Sequence, residues 1–169
     1  MAARMWRSLS IAVALVSLGA NFRSQNFFVN APTLEVARQV AEAAEKHRDE
    51  LGLAWLGQKM PPWPNPCPLS VHLTMEPPCG ATSFQFGEGR VVSQKMEIRG
   101  PLDRLFASVL PHEIAHTVLA HHFGKPVPRW ADEGAAVLCE KTTECNRHEK
   151  LASELLRSGR RSRSADFFT

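Results

Sequence analysis

The sequence predicts an α+β domain with a small sheet, on three observations. Residues 33–57 and 102–122 repeat apolar side chains at helical spacing. The stretch 69–75 alternates, and 81–86 and 90–98 flank "GEG", which marks a hairpin. The resulting order is strand, helix, strands, helix, helix, not the regular alternation of a parallel α/β fold. With 169 residues the chain fits one domain. Its net charge of +3 is too mild to imply a nucleic-acid partner, and none is expected.

The elements follow in order. Arg4 and Arg7 precede the short apolar run "SLSIAVALVSLGA", which ends in small residues. This is the pattern of a signal peptide or signal anchor over residues 1–20, directing the chain to export. The run is shorter than the roughly 20 apolar residues of a membrane span, so membrane attachment follows only if it stays uncleaved. In an oxidising compartment Cys67, Cys79, Cys139 and Cys145 can form disulfides. Cys67–Cys79 and Cys139–Cys145 are the local pairings, but spacing does not choose among the connectivities.

The domain itself is expected over 26–157. "NFFVNAP" (26–32) reads as a strand ending at a proline. In 33–57 apolar residues at 34, 37, 40, 41, 44, 51 and 55 form a helical stripe, with Pro32 in the first turn and Gly57 as the stop. "KMPPWPNPCP" (59–68) holds five prolines and must be a loop. The strand "LSVHLTM" follows, with His72 expected to pack on one face. After the hairpin come a helix over about 102–122 and another from near Trp130 toward residue 157. Residues 158–169 read as a basic, solvated tail.

The first of these last helices carries the chemistry. "HEIAH" sets His112 and His116 four residues apart, stacked on one helical face and able to reach one zinc ion. Glu113 lies one residue round, placed to take a proton from a water and not to bind metal. The stripe Leu102, Leu105, Phe106, Val109 runs directly into these groups, so they face the core. Buried without partners they would cost several kcal/mol. Pro111 requires either a kink or a separate turn over 102–109 with a new helix opening at the proline.

A catalytic zinc usually takes three protein ligands. His122 has the spacing of a third histidine, but position 119 is Leu where the chain would need a glycine to turn. On an unbroken helix His122 lies about 120° round from His116 and is rejected. Glu133 in "PVPRWADEGAAVLCE" is the better candidate: a Gly- and Pro-containing turn (123–130) can bring a new helix back beside the histidines. Asp132 and Glu133 would otherwise simply complement that helix's dipole.

H-E-x-x-H, a short Pro-rich turn and W-x-x-E-G together resemble the gluzincin branch of the zincin metallopeptidases, in the small peptidase MA-like group. The resemblance implies a zincin-like fold with a small mixed or antiparallel sheet packed on the N-terminal helix and the H-E-x-x-H helix. A C-terminal helix would then carry the third ligand. It implies one catalytic Zn2+ held by His112, His116 and Glu133, with Glu113 as general base. It further implies a peptide or protein substrate bound in extended form along a strand edge within 81–98. The reaction implied is peptide hydrolysis by a zinc-activated water. Such enzymes add a Tyr or His to stabilise the oxyanion. This chain has no Tyr, and His148, fifteen residues past Glu133, would be about 22 Å along a continuous helix. The alternative is therefore an inactive or truncated zinc-binding module.

Overall fold

In the computed structural model, the described residues are 19–140 and the single positions 146, 150, 153, 154 and 157, which are helical and exposed. The targeting segment, except Gly19 and Ala20, and the basic tail lie outside them. Five strands form one mixed sheet: β1 (Ala20–Arg23), β2 (Phe27–Ala31), β3 (Cys67–Leu73), β4 (Cys79–Gly87) and β5 (Arg90–Gly100), in the order β1-β2-β3-β5-β4. The outer pairs β1–β2 and β4–β5 are antiparallel, while β2–β3 and β3–β5 are parallel. The helices are α1 (Leu34–Leu56), α2 (Leu102–Arg104), α3 (Leu110–Phe123) and α4 (Arg129–Val137). No helix among the described residues is long and apolar enough to cross a membrane.

Alternation decides the layering. In β2 the residues Phe27, Val29 and Ala31 are buried and Phe28 and Asn30 exposed; Met96 and Ile98 repeat the pattern on β5. Against this face α1 buries Ala37, Val40, Ala41 and Ala44, and α3 buries Leu110, Ile114 and Val118. The small alanine face of α1 lets that helix sit close to the sheet. The helix starts at Thr33, whose side chain accepts the Val36 N–H; Pro32 precedes the cap instead of lying in the first turn. It ends, as expected, at Gly57.

Three other expectations need correction. β1 was not foreseen: four residues directly after an apolar run give too little alternation to register. His72 is exposed, 3.5 Å from Glu97, not packed. α4 stops at Val137, giving way to a turn before Glu140; 141–145 lie outside the described residues.

Cys67 and Cys79 are free thiols. β5 separates their strands, and the register offsets them by five residues, about 16 Å along the strand direction. Burial pushes the Cys67 thiol up to about 12. The pairing of Cys139 with Cys145 falls partly outside the described residues.

Pro111 is accommodated by a change of helix type. Residues Leu105–Val109 form a π-helical turn, with the Leu110 N–H bonded to the Leu105 carbonyl. Five-residue spacing absorbs the proline that four-residue spacing would expel, and Pro111 then lies in the first turn of α3. Neither a kinked single helix nor a detached turn describes this fully: the axis continues with one wide turn.

The hairpin tip is docked on the end of α3. Glu88 (φ 53°) and Gly89 (φ 72°) give a turn with two left-handed residues, which matches strand twist. Gly124, at φ 63°, caps α3 so close to the Gly89 carbonyl that any side chain there would collide with it.

The Pro-rich loop is held by buried polar groups. Asn26 donates from its backbone and side chain to Glu45 at 2.6 and 2.7 Å, and its Oδ1 accepts the Trp63 N–H at 2.8 Å. The Trp63 ring stacks on His121 at 4.6 Å and lies under Arg48 at 4.8 Å. His121 also meets Gln94 Oε1 at 3.1 Å. Burial, with the charge of Arg48, pulls the His121 pKa down from 6.5 to about 4. The unfolded chain therefore binds a proton between pH 6.5 and 4 that the folded chain refuses. This contribution to stability is complete above pH 6.5 and is lost as pH falls through that window. Allowing for partial exposure, the loss is on the order of 1–2 kcal/mol. Urea unfolding at pH 7.5 and 4.5 should show a smaller difference for His121→Gln than for the native chain; equal differences would remove His121 as the cause.

Candidate metal centre

Helix α3 presents His112 and His116 on the side that α4 covers. The chain leaves α3 at Gly124, turns through two prolines and returns antiparallel, so later residues of α4 meet earlier residues of α3. Asp132 thus reaches His116, and Glu133 reaches His112. One ligand atom each from His112, His116 and Glu133 lie within 4.8 Å of one another. The three residues expected to share a metal are brought together.

The donor set fits a divalent cation. His112 Nε2 and Glu133 Oε2 are 3.5 Å apart, close to the roughly 3.3 Å edge of a tetrahedron with 2.0–2.1 Å bonds. Each Nδ1 faces a carboxylate, which leaves Nε2 for a metal. His112 Nδ1 lies 2.9 Å from Glu140 Oε1, and Glu140 Oε2 accepts the Ser108 hydroxyl at 2.7 Å. Glu140 is buried, so its carboxylate fixes the tautomer and the ring angle of His112. Asp132 Oδ1 stands 2.9 Å from His116 Nδ1, near enough to pair by charge but out of line for a hydrogen bond. Burial lowers the His116 pKa, but Asp132, aided by Glu113 and Glu133, outweighs it and the net direction is upward. Glu133 is half-exposed, and its second oxygen is 3.9 Å from Arg129.

Glu113 is set apart from this cluster. Its carboxyl is buried under β4, where Thr82 Oγ1 donates to Oε2 at 2.6 Å. Burial raises its pKa, against the opposing pull of Thr82 and the two histidines. Gly80 makes room for it: a Cβ there would fall 2.6 Å from Glu113 Oε1. The first half of β4 is thus cut to fit one carboxylate.

β4 is the edge strand of the sheet, and its inward side chains continue from Thr82 to Phe84 and Phe86. With His116, Ala120, Lys125 and Val127 these two rings line a small cleft of about 120 Å³ beside the His112, His116 and Glu133 cluster. A larger cavity lies elsewhere, along β5, and contains none of the clustered groups. The chemistry therefore locates the site, not the size of the cavity.

Several contributors escaped the sequence. Glu140 lies seven residues beyond Glu133, a spacing of two helical turns that could have drawn attention to it. Asp132 was read only as a dipole partner. Ser108, Thr82 and Gly80 carry no signal of their own, because their roles come from tertiary contact. Replacing Glu140 by Gln should weaken zinc binding by roughly 10–100-fold while the fold survives. Competition with a chelator of known affinity measures this, and unchanged affinity would free Glu140 of the role.

Compared with protein-family models, curated proteins and solved structures, the chain finds no match in any of the three.

Proposed function

We propose that this protein is a zinc-dependent metallopeptidase of the gluzincin type. The observation that carries the proposal is the convergence of His112, His116 and Glu133 beside a separately held, buried Glu113. Bound there, zinc would supply Lewis-acid chemistry, making a water acidic enough to react near neutral pH and polarising the scissile carbonyl.

The chain's own residues do the rest. Glu113 accepts a proton from the attacking water and later delivers it to the leaving amine. Its raised pKa suits a base that must also act as an acid. Thr82 donates to one carboxylate oxygen, and the notch at Gly80 leaves room for the other. Glu140 orients the His112 imidazole from behind through a hydrogen bond, and Asp132 stands in charge contact with His116 Nδ1. The open edge of β4 offers backbone groups to an extended peptide, with the cleft at Phe84 and Phe86 taking an apolar side chain next to the reacting bond.

A second reading has one observation in its favour: the sequence contains no Tyr to stabilise an oxyanion. On that reading the same site binds zinc without hydrolysis. The two separate in one experiment. With casein-derived peptides, the peptidase reading expects hydrolysis that stops when a chelator is added and returns with stoichiometric zinc. Zinc binding with no cleavage under any loading would leave the module reading.

A further inference from the structure

Phe84 and Phe86 stand on β4 with their ring centroids 6.0 Å apart, yet neither belongs to the hydrophobic core. Both are only half-buried. The space they face is the cleft of about 120 Å³ that His116, Ala120 and Val127 line from the other side. An apolar cavity of roughly 150 Å³ takes a benzene ring, so this cleft has room for one side chain.

The rings account for the stem of that side chain but not for its end. Two charged side chains, Asp132 and Lys125, also line the cleft. Asp132 is turned to His116, its Oδ1 2.9 Å from Nδ1. Lys125 is exposed, and among the described residues it has no ion-pair partner.

The backbone around Lys125 is nevertheless fixed. Gly124, just before it, caps α3 by donating its N–H to the Ala120 carbonyl at 2.9 Å, and packs against the Gly89 carbonyl of the hairpin. Pro126, just after it, restricts Lys125 to extended backbone. The turn that carries the cation is thus tied to the hairpin that carries the rings.

A cation beside an apolar cleft favours a ligand with methylenes for the rings and a negative end for the ammonium. A wholly apolar side chain gains from the rings alone, and a basic one is repelled. Glutamate answers both. Because Lys125 is exposed, the carboxylate that meets it keeps much of its hydration and escapes the large cost of a buried charge.

We propose that this cleft is a specificity subsite for glutamate, so that favoured substrates carry a glutamyl side chain close to the scissile bond. Its methylenes lie against Phe84 and Phe86, and its carboxylate pairs with Lys125. The inference rests on the peptidase reading, which supplies the peptide. The reaction is the same hydrolysis: the C–N bond breaks, the hydroxyl of water joins the acyl carbon, and its proton joins the leaving nitrogen. Lys125 touches the substrate but none of these atoms.

The test uses the full chain loaded with zinc and the capped peptide acetyl-Ala-Ala-Ala-Glu-Ala-Ala-Ala-amide, with counterparts carrying Gln or Lys in place of Glu. The Glu peptide should exceed the Gln peptide in kcat/KM by about three- to fivefold, the scale of one partly exposed ion pair, and the Lys peptide should be poorest. High salt should shrink the difference. Lys125→Gln should treat the Glu and Gln peptides alike, and Lys125→Glu should favour the Lys peptide, both with the zinc content of the native chain. Equal rates for Glu and Gln in the native chain would overturn the proposal, as would a Glu preference that survives Lys125→Glu. If neither these nor casein-derived peptides are cleaved, the peptidase reading fails and binding decides the subsite. The NMR signals of the Phe84 and Phe86 rings should then saturate at a lower concentration of the Glu peptide than of the Gln peptide, and equally in Lys125→Gln. Rings that sense neither peptide, or both alike in the native chain, would overturn it.

Discussion

Glu113→Gln is expected to bind zinc as tightly as the native chain and to hydrolyse peptides roughly 10²–10⁴-fold more slowly. The amide keeps the shape of the side chain and an oxygen to accept from Thr82, so β4 and α3 stay in register. It cannot hold the proton that must leave the water and reach the amine. Removing a buried carboxylate whose burial disfavours its charge should leave stability unchanged or slightly raised, since the amide is uncharged. Steady-state hydrolysis and zinc competition on the same preparation check both halves. Undiminished hydrolysis would take Glu113 out of the mechanism.

Glu133→Ala is the second large effect. It removes the only carboxylate of the three-residue cluster and leaves two imidazoles, an incomplete set for a catalytic zinc. Zinc affinity should fall by at least about 100-fold, and hydrolysis at limiting zinc should disappear with it. Because Glu133 is half-exposed and sits on the short helix α4, the substitution should cost the fold little. Circular dichroism of the apoprotein separates that outcome from unfolding. Asp132 is the control: it faces the far nitrogen of His116, so Asp132→Asn should retain a full complement of zinc with a modest loss of affinity.

The sequence carried the fold class, because its signals are local. Alternation in β2 and β5, the alanine-rich stripe of α1 and the Glu88-Gly89 turn each follow from a few neighbouring residues. The cluster was legible for a related reason. Two histidines four apart must share a face, and a Gly-Pro turn gave Glu133 a route back to them.

What was missed depends on distance along the chain. Thr82 and Gly80 meet Glu113 from a strand some thirty residues away, and nothing in "CGATSF" announces it. The start of the β3–β5 ladder only at Leu69–Met96 needs the sheet order and the register before Pro66 and Pro68 can be understood as missing donors. The π-helical turn is intermediate: Pro111 signalled a disturbance, but only the packing of Leu105 and Val109 against the sheet selects a wide turn over a break.

The central claim is that His112, His116 and Glu133 hold one zinc ion, and elemental analysis of the purified full chain tests it most directly. After dialysis against limiting zinc, the expected result is about one zinc per native chain, which the Glu133→Ala variant fails to retain. A native chain that stays metal-free under loading conditions would contradict the account, and the site would then be a buried polar network on a helix.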